Sequence, residues 1–192
     1  MNTQASAAVS RTPLPASKPQ GPGGLSGDLK QLYQSVILTH CKDKTNRGRP
    51  ELPYISGEGR NAMCGDQITM HLVLSDDGHN RINRAMFEGH GCAMCLASAS
   101  VLTQVAVGHT PGEMTEISEY LTALCHGEQA LAPASLSASH RGELEALSGV
   151  RLFPARIRCV QLAWEAAQDA LTSVTDQAAT DQGVASVGDQ TA

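Results

Sequence analysis

The sequence predicts an α+β fold, a small antiparallel β-sheet with helices packed on one face. Three observations predict it. Apolar residues recur at steps of three and four over 29–37. They then alternate with polar ones over 68–74 and return after a tight turn over 82–87. Helical patterns fill most of the chain from residue 92 onward. Helices that flank a strand pair, rather than alternating with single strands, cover one side of the sheet.

Each element follows from local chemistry. Asp28 can cap a first helix that carries Leu29, Leu32, Tyr33, Val36 and Ile37 on one side. Residues 42–50 are basic and polar and close on Gly48 and Pro50, which predicts a loop. Ile68, Met70, Leu72 and Leu74 alternate with Thr69, His71 and Val73 as a strand, Asp76-Asp77-Gly78 turns the chain, and Ile82 to Phe87 returns. Gly89 and Gly91 break that strand. A helix follows from about Cys92 to Val107, stopped by Gly108 and Pro111. Glu113 to Cys125 forms another, with acids in its first turns. A short helical piece holds Leu144 to Leu147. Pro154 suits the first turn of a last helix running through Trp164 to Leu171. No internal repeat is present.

Composition bounds the rest. A chain of 192 residues fits one domain with loose ends. With 41% apolar but only 3% aromatic residues, its core is aliphatic. A net charge of −5 argues against a general nucleic-acid binder. No apolar run approaches the ~20 residues of a bilayer crossing, so no membrane partner is expected. Residues 1–27 are rich in Ala, Ser, Pro and Gly, carry Arg11 and Lys18 and no acid, and read as a flexible arm. A transit peptide is the competing reading, which the prolines fit poorly. Residues 174–192 hold three Asp and no Lys or Arg, and read as a flexible acidic tail. The domain spans 28–173. No secretory signal is evident, so the expected location is cytoplasmic, and six cysteines there are thiols, metal ligands or redox groups rather than structural disulfides.

Three cysteines fall at the ends of elements, where a rigid scaffold can aim side chains at one point. Cys64 precedes the first predicted strand, Cys92 opens a helix, and Cys159 lies in the first turns of the last helix. A helix N-terminus favours thiolate, the form that binds metal or attacks sulfur. With Asp66 these could give a Cys3Asp tetrahedral site suited to zinc. Against this, the gaps of 28 and 67 residues match no compact zinc ribbon, and small buried apolar cysteines are common. Cys92-Ala93-Met94-Cys95 could also be a redox dithiol, but the βαβ alternation of thioredoxin-like folds is missing. A deaminase zinc site would need Pro before the Cys-x-x-Cys and His-x-Glu upstream, and neither is present.

Cys64-Gly65-Asp66, Phe87-Glu88-Gly89-His90-Gly91-Cys92, Ala97-Ser98-Ala99-Ser100 and Phe153-Pro154-Ala155-Arg156-Ile157-Arg158-Cys159, together with the opening helix Leu32 to His40, resemble the IscU/SufU family of iron–sulfur cluster assembly proteins over roughly residues 28–172. Within it the chain is similar to the SufU type. IscU-type scaffolds carry His just before the last ligand Cys, where this chain has Arg158. SufU-type proteins also have added sequence between the second and third ligand cysteines, here matched by the long gap that holds the 113–125 helix. The resemblance implies a zinc-dependent sulfurtransferase. Cys64, Asp66, Cys92 and Cys159 would hold one Zn2+, and Cys64 would accept persulfide sulfur from a SufS-like, pyridoxal-phosphate-dependent cysteine desulfurase. A desulfurase His would take a place on the zinc and free Cys64 for attack. Sulfur would pass on to downstream cluster-assembly proteins. The competing implication is an iron-binding scaffold that assembles a transient [2Fe–2S] cluster on Cys64, Cys92 and Cys159; a purely structural zinc module is a third.

The chain departs from the family in places. Cys95 is an extra thiol at a position the family fills otherwise: a silent helix residue, a spare ligand or a resolving thiol. Residues 51–61 are poor in β-formers, which argues against the family's first strand. Cys41 and Cys125 match no ligand and are expected to pack helices. Arg156 and Arg158 could steady thiolate charge, meet the partner, or simply be solvated. His40 suits a helix C-terminus. His71 and His90 read as plain polar residues, with His90 near enough to substitute as a ligand.

Overall fold

The computed structural model describes residues 27–184, with side chains from 31 to 173. The flexible-arm reading of 1–27 therefore falls almost wholly outside the described residues, as does the end of the acidic tail. The fold is α+β: helix α1 (Gly27–Lys42), strands β1 (Ile55–Asn61), β2 (Asp66–Leu74) and β3 (Ile82–His90), then helices α2 (Ala93–Val105), α3 (Pro111–His126), α4 (Ala138–Leu147) and α5 (Ile157–Val184). Two 3-10 segments, Ser148–Leu152 and Pro154–Arg156, lead into α5. The strands form one antiparallel sheet in the order β1-β2-β3.

The alternation over 68–74 sorts as expected. Ile68, Met70 and Leu72 are fully buried beneath the helices. His71 lies on the other side, between Ser56 and Glu88, with Tyr54 edge-on against its ring. Loop 42–50 does more than connect. Asn46 and Gly48 pair through their backbones with Phe87, so the loop covers the free edge of β3.

The structure corrects the sequence reading at β1. The segment Ile-Ser-Gly-Glu-Gly-Arg-Asn forms a full strand despite its poor β-propensity. Its buried positions are Gly57, Gly59 and Asn61. A Cβ at Gly57 would run into the backbone of α5 at Ala166, and one at Gly59 would strike Leu162. The glycines are there because α5 lies directly on this strand, and that approach replaces side-chain packing. Helix α5 also continues to Val184, beyond its expected end at Leu171. β3 likewise continues through Gly89 to His90.

Small residues do the same for α2, which is almost wholly buried through Ala97, Ser98, Ala99 and Ser100. Ser98 donates to the Val160 carbonyl of α5 at 2.6 Å and accepts from the Trp164 indole at 3.0 Å. Ser100 bonds His40 of α1 at 3.1 Å. These links fix α2 between α1 and α5, which matters because α2 and α5 both start at the candidate site. Cys125 is buried in the core, as a packing residue should be, and Cys41, near the end of α1, is half-buried against that core.

Candidate metal centre

β1 and β2 are joined by the four residues 62–65, and Cys64 sits on this turn. The Asn61 carbonyl accepts from the N–H groups of Cys64 and Gly65, and Asn61 Oδ1 accepts from Met63. Gly65 closes the turn at φ +70°, a left-handed conformation that suits glycine. Cys64 is consequently exposed at the tip. Asp66 follows as the first residue of β2 and is only 3% exposed. Cys159, in the first turn of α5, is fully buried.

Hairpin tip and helix start converge. Ligand atoms of Cys64, Asp66 and Cys159 all lie within 4.8 Å of one another. The Cys64 and Cys159 sulfurs are 3.5 Å apart, and Asn61 Nδ2 donates to Cys159 Sγ at 3.6 Å. Asn61 is the residue that the sequence reading missed. Its place two residues before a hydrophobe and a cysteine gave no signal; only the turn shows that it shapes the site from two sides.

Cys92 stands beside this group rather than within it. It is the N-cap of α2, in extended conformation, and its N–H donates to Asp66 Oδ1 at 3.0 Å. The carboxylate thus sits at the positive end of α2. The Arg156 guanidinium hydrogen-bonds Cys92, and the sulfurs of Cys92, Cys159 and Cys64 all favour its charge. Arg158 turns away and pairs with Glu165 on the exposed side of α5. His90, exposed at the end of β3, is not among the grouped donors. Cys95, one turn into α2, is fully buried.

The electrostatics describe a site that a cation would fit. Burial first, then hydrogen bonds with Asp66 and Cys64, push the Cys159 thiol far above its ordinary range. Burial, with the charges of Asp66, Cys92 and Cys64 behind it, pushes Cys95 up to about 12. Acidic groups crowd one point, and each opposes ionisation of the others. Asp66 Oδ2 is buried with no hydrogen-bond partner, an arrangement that costs stability unless something meets it. A metal ion reverses both effects. The sulfur spacing fits as well, because Zn–S bonds of about 2.3 Å in a tetrahedron set two sulfurs about 3.8 Å apart. Three thiols and a carboxylate also suit zinc chemically. The same thiolates fit iron in a cluster.

Comparison with known proteins agrees with this geometry. The NifU-like N terminal domain family matches residues 32–160. The chain is 34% identical over 141 residues to the zinc-dependent sulfurtransferase SufU of Bacillus subtilis (strain 168), covering 73% of this chain and 90% of that protein. It is 32% identical over 158 residues to the iron-sulfur cluster assembly scaffold protein IscU of Streptococcus pyogenes serotype M1, covering 81% and 93%. The crystal structure of a putative iron-sulfur cluster assembly scaffold protein for the SUF system from Fervidobacterium islandicum AW-1 superposes with a TM-score of 0.63 at 28% identity, covering 73% of this chain and 97% of that one. A NifU-like protein from Brucella abortus, at 19% identity and a TM-score of 0.65, shares the fold. No helix among the described residues is long and apolar enough to cross a membrane. Sequence, fold and site chemistry agree that this chain belongs to the NifU-like N-terminal domain family, that of the IscU and SufU iron–sulfur cluster assembly proteins.

Proposed function

We propose that the chain is a zinc-dependent sulfurtransferase of iron–sulfur cluster assembly, which accepts persulfide sulfur on Cys64 from a pyridoxal-phosphate-dependent cysteine desulfurase. The observation that carries this reading is the unequal exposure of the donors. Asp66 and Cys159 are buried and fixed, whereas Cys64 stands on an exposed hairpin tip. The Cys64 sulfur is reachable by a partner, Cys92 is half-buried, and Cys159 stays behind. Met63, 92% exposed, and Phe153, 51% exposed, flank the site in sequence with apolar surface that a docking protein could cover.

Cys64, Asp66, Cys92 and Cys159 would hold the zinc. When bound, zinc keeps the thiols deprotonated and reactive at neutral pH. The Cys64 thiolate attacks the outer sulfur of the desulfurase persulfide. A new S–S bond forms as the old one breaks, the desulfurase thiolate leaves, and no external oxidant or reductant is needed. The Arg156 guanidinium, set against Cys92, supplies fixed positive charge beside the sulfurs.

A second reading, assembly of a [2Fe–2S] cluster on Cys64, Cys92 and Cys159, is supported by the relatives named as scaffolds. Arg158 favours the first. The residue before Cys159 pairs with Glu165 on the exposed face, so it contributes no fourth nitrogen ligand. The test is to incubate the zinc-loaded chain with a desulfurase and cysteine, then measure mass and turnover. The mass should rise by one sulfur on Cys64, and Cys64→Ser should abolish both the gain and the acceleration of the desulfurase. A Cys64→Ser chain that accelerates it as well as wild type would overturn the proposal. Stoichiometric iron and sulfide with a visible band in the purified chain would establish the scaffold instead.

A further inference from the structure

The proposed transfer raises a structural question about what stays on the metal when Cys64 is occupied with sulfur. Removing one of four donors leaves an open position in a site whose remaining members are buried (Asp66 and Cys159) or half-buried (Cys92). The candidate to fill it is a thiol that the ligand set does not use.

Cys95 is the third residue after Cys92, so the two occupy the N-cap and the third position of α2. Residues three apart on a helix are neighbours on one face. A Cβ built on Gly91 would lie 3.1 Å from Cys95 Sγ and 3.2 Å from Asp66 Cγ. Cys95 and the Asp66 carboxylate therefore flank the same point, and only the missing side chain of Gly91 lets them approach it. Asp66 is 3% exposed and its Oδ2 has no hydrogen-bond partner. A buried acceptor left without a partner, on a carboxylate grouped with the Cys64 and Cys159 sulfurs, is a second, independent mark of a cation position. Cys92 and Cys95 both lie outside the tight group of Cys64, Asp66 and Cys159, so the fourth corner is committed to neither sulfur.

We infer that Cys95 is a fifth donor, which takes the coordination place of Cys64 when Cys64 carries sulfur, so that Asp66, Cys92, Cys95 and Cys159 hold the metal within one chain. The inference rests on the zinc reading above. The exchange is not a redox step. Cys64 leaves the metal with its own electron pair, and Cys95 binds through its sulfur and releases its proton to solvent, as any thiol does on binding metal. The centre would then keep its metal through a transfer cycle without borrowing a ligand permanently from the partner.

The test is a titration of the full chain with cobalt(II), whose thiolate charge-transfer absorption grows with the number of bound thiolates, followed by competition with zinc. Wild type, Cys64→Ser and Cys95→Ser should each show three-thiolate intensity. Cys64→Ser/Cys95→Ser should lose about a third of it and bind at least tenfold more weakly, the order seen for loss of a supporting ligand contact. If Cys64→Ser and the double variant coincide in intensity and affinity, Cys95 is a packing residue and the inference falls. If wild type itself takes up neither cobalt nor zinc, the zinc reading falls with it. A measurement on the unaltered chain guards against misfolding of the variants. Alkylation of exposed Cys64 in the zinc-loaded protein should leave zinc bound, and release of the metal on alkylation would overturn the inference.

Discussion

Helices α2 and α3 follow one another through the centre of the chain and begin in opposite ways. At α3, Thr110 accepts from the Glu113 N–H, Glu113 accepts from the Thr110 N–H in return, and Pro111 occupies the first helical position. A full capping box and an N1 proline together stabilise this helix start. At α2, the same two positions, N-cap and third, are given to Cys92 and Cys95, and no side chain on the helix caps it. The one compensating bond reaches Cys92 from another element, through Asp66. The difference teaches where the chain trades local stability for chemistry. α3 is built to stay folded, whereas α2 is held down by burial and left with thiols where caps belong.

The comparison is sharpened most by separating the two roles of Asp66. In Asp66→Asn an oxygen can still accept from the Cys92 N–H, but the charge that a cation needs is gone. Stripped of metal, this variant should be at least as stable as wild type, because a buried, half-satisfied carboxylate is removed. With zinc in hundredfold excess over its dissociation constant, wild type should gain about 2.7 kcal/mol. For a chain of this size that is a rise in melting temperature of about 5–10 °C, and the variant should show little of it. Thermal melts with and without zinc check this. An equal rise in both proteins would mean that Asp66 only caps α2.

The legibility of the molecule follows the same division. Elements that stand on side-chain pattern were readable: β2 from alternation, β3 as its return after the Asp76-Asp77-Gly78 turn, α3 from the acids in its first turns, and the grouping of Cys64, Asp66 and Cys159 from motifs at element ends. β1 was not, because its strand character comes from Gly57 and Gly59 receiving α5, and a glycine states only that something may come close. Asn61 escaped for a related reason. Its two bonds to the site depend on the turn that it closes, and no spacing in the chain encodes that. The separation of Cys92 from the tight group depends on a backbone angle at the N-cap, again a tertiary outcome.

Two exchanges at the N-caps should move in opposite directions. Thr110→Ala removes a working cap and should cost about 1 kcal/mol, a fall of about 2–4 °C in melting temperature, with zinc binding unchanged. Cys92→Ser supplies α2 with the hydroxyl that α3 already has. In the metal-free chain it should be neutral or gain several tenths of a kcal/mol, while zinc affinity drops. Denaturant melts of both variants, each with a metal titration, check the pair. A loss of stability in metal-free Cys92→Ser would show that the thiol packs better than a cap would hold, and the contrast between the two helices would then lie in packing alone.

The smallest effect is the pH dependence of the α3 cap. The Thr110 N–H and then its hydroxyl bond the Glu113 carboxylate, with Arg81 and His109 adding favourable charge, and together they hold its pKa below the ordinary glutamate value of 4.5. A carboxylate with a depressed folded-state pKa contributes stability that is fully present above the unfolded value and is lost as pH falls through the folded one. The stability gap between wild type and Glu113→Gln should therefore be open at neutral pH, begin to close near 4.5, and vanish below the folded value. Because Glu113 lies at the surface beside Arg81, added salt should narrow the gap at neutral pH as well. No gap at neutral pH would assign the cap to hydrogen-bond geometry, which glutamine keeps, and not to charge. In α2 no such acid-sensitive increment from a side chain of the helix itself is expected, since the positions that would carry it hold sulfur.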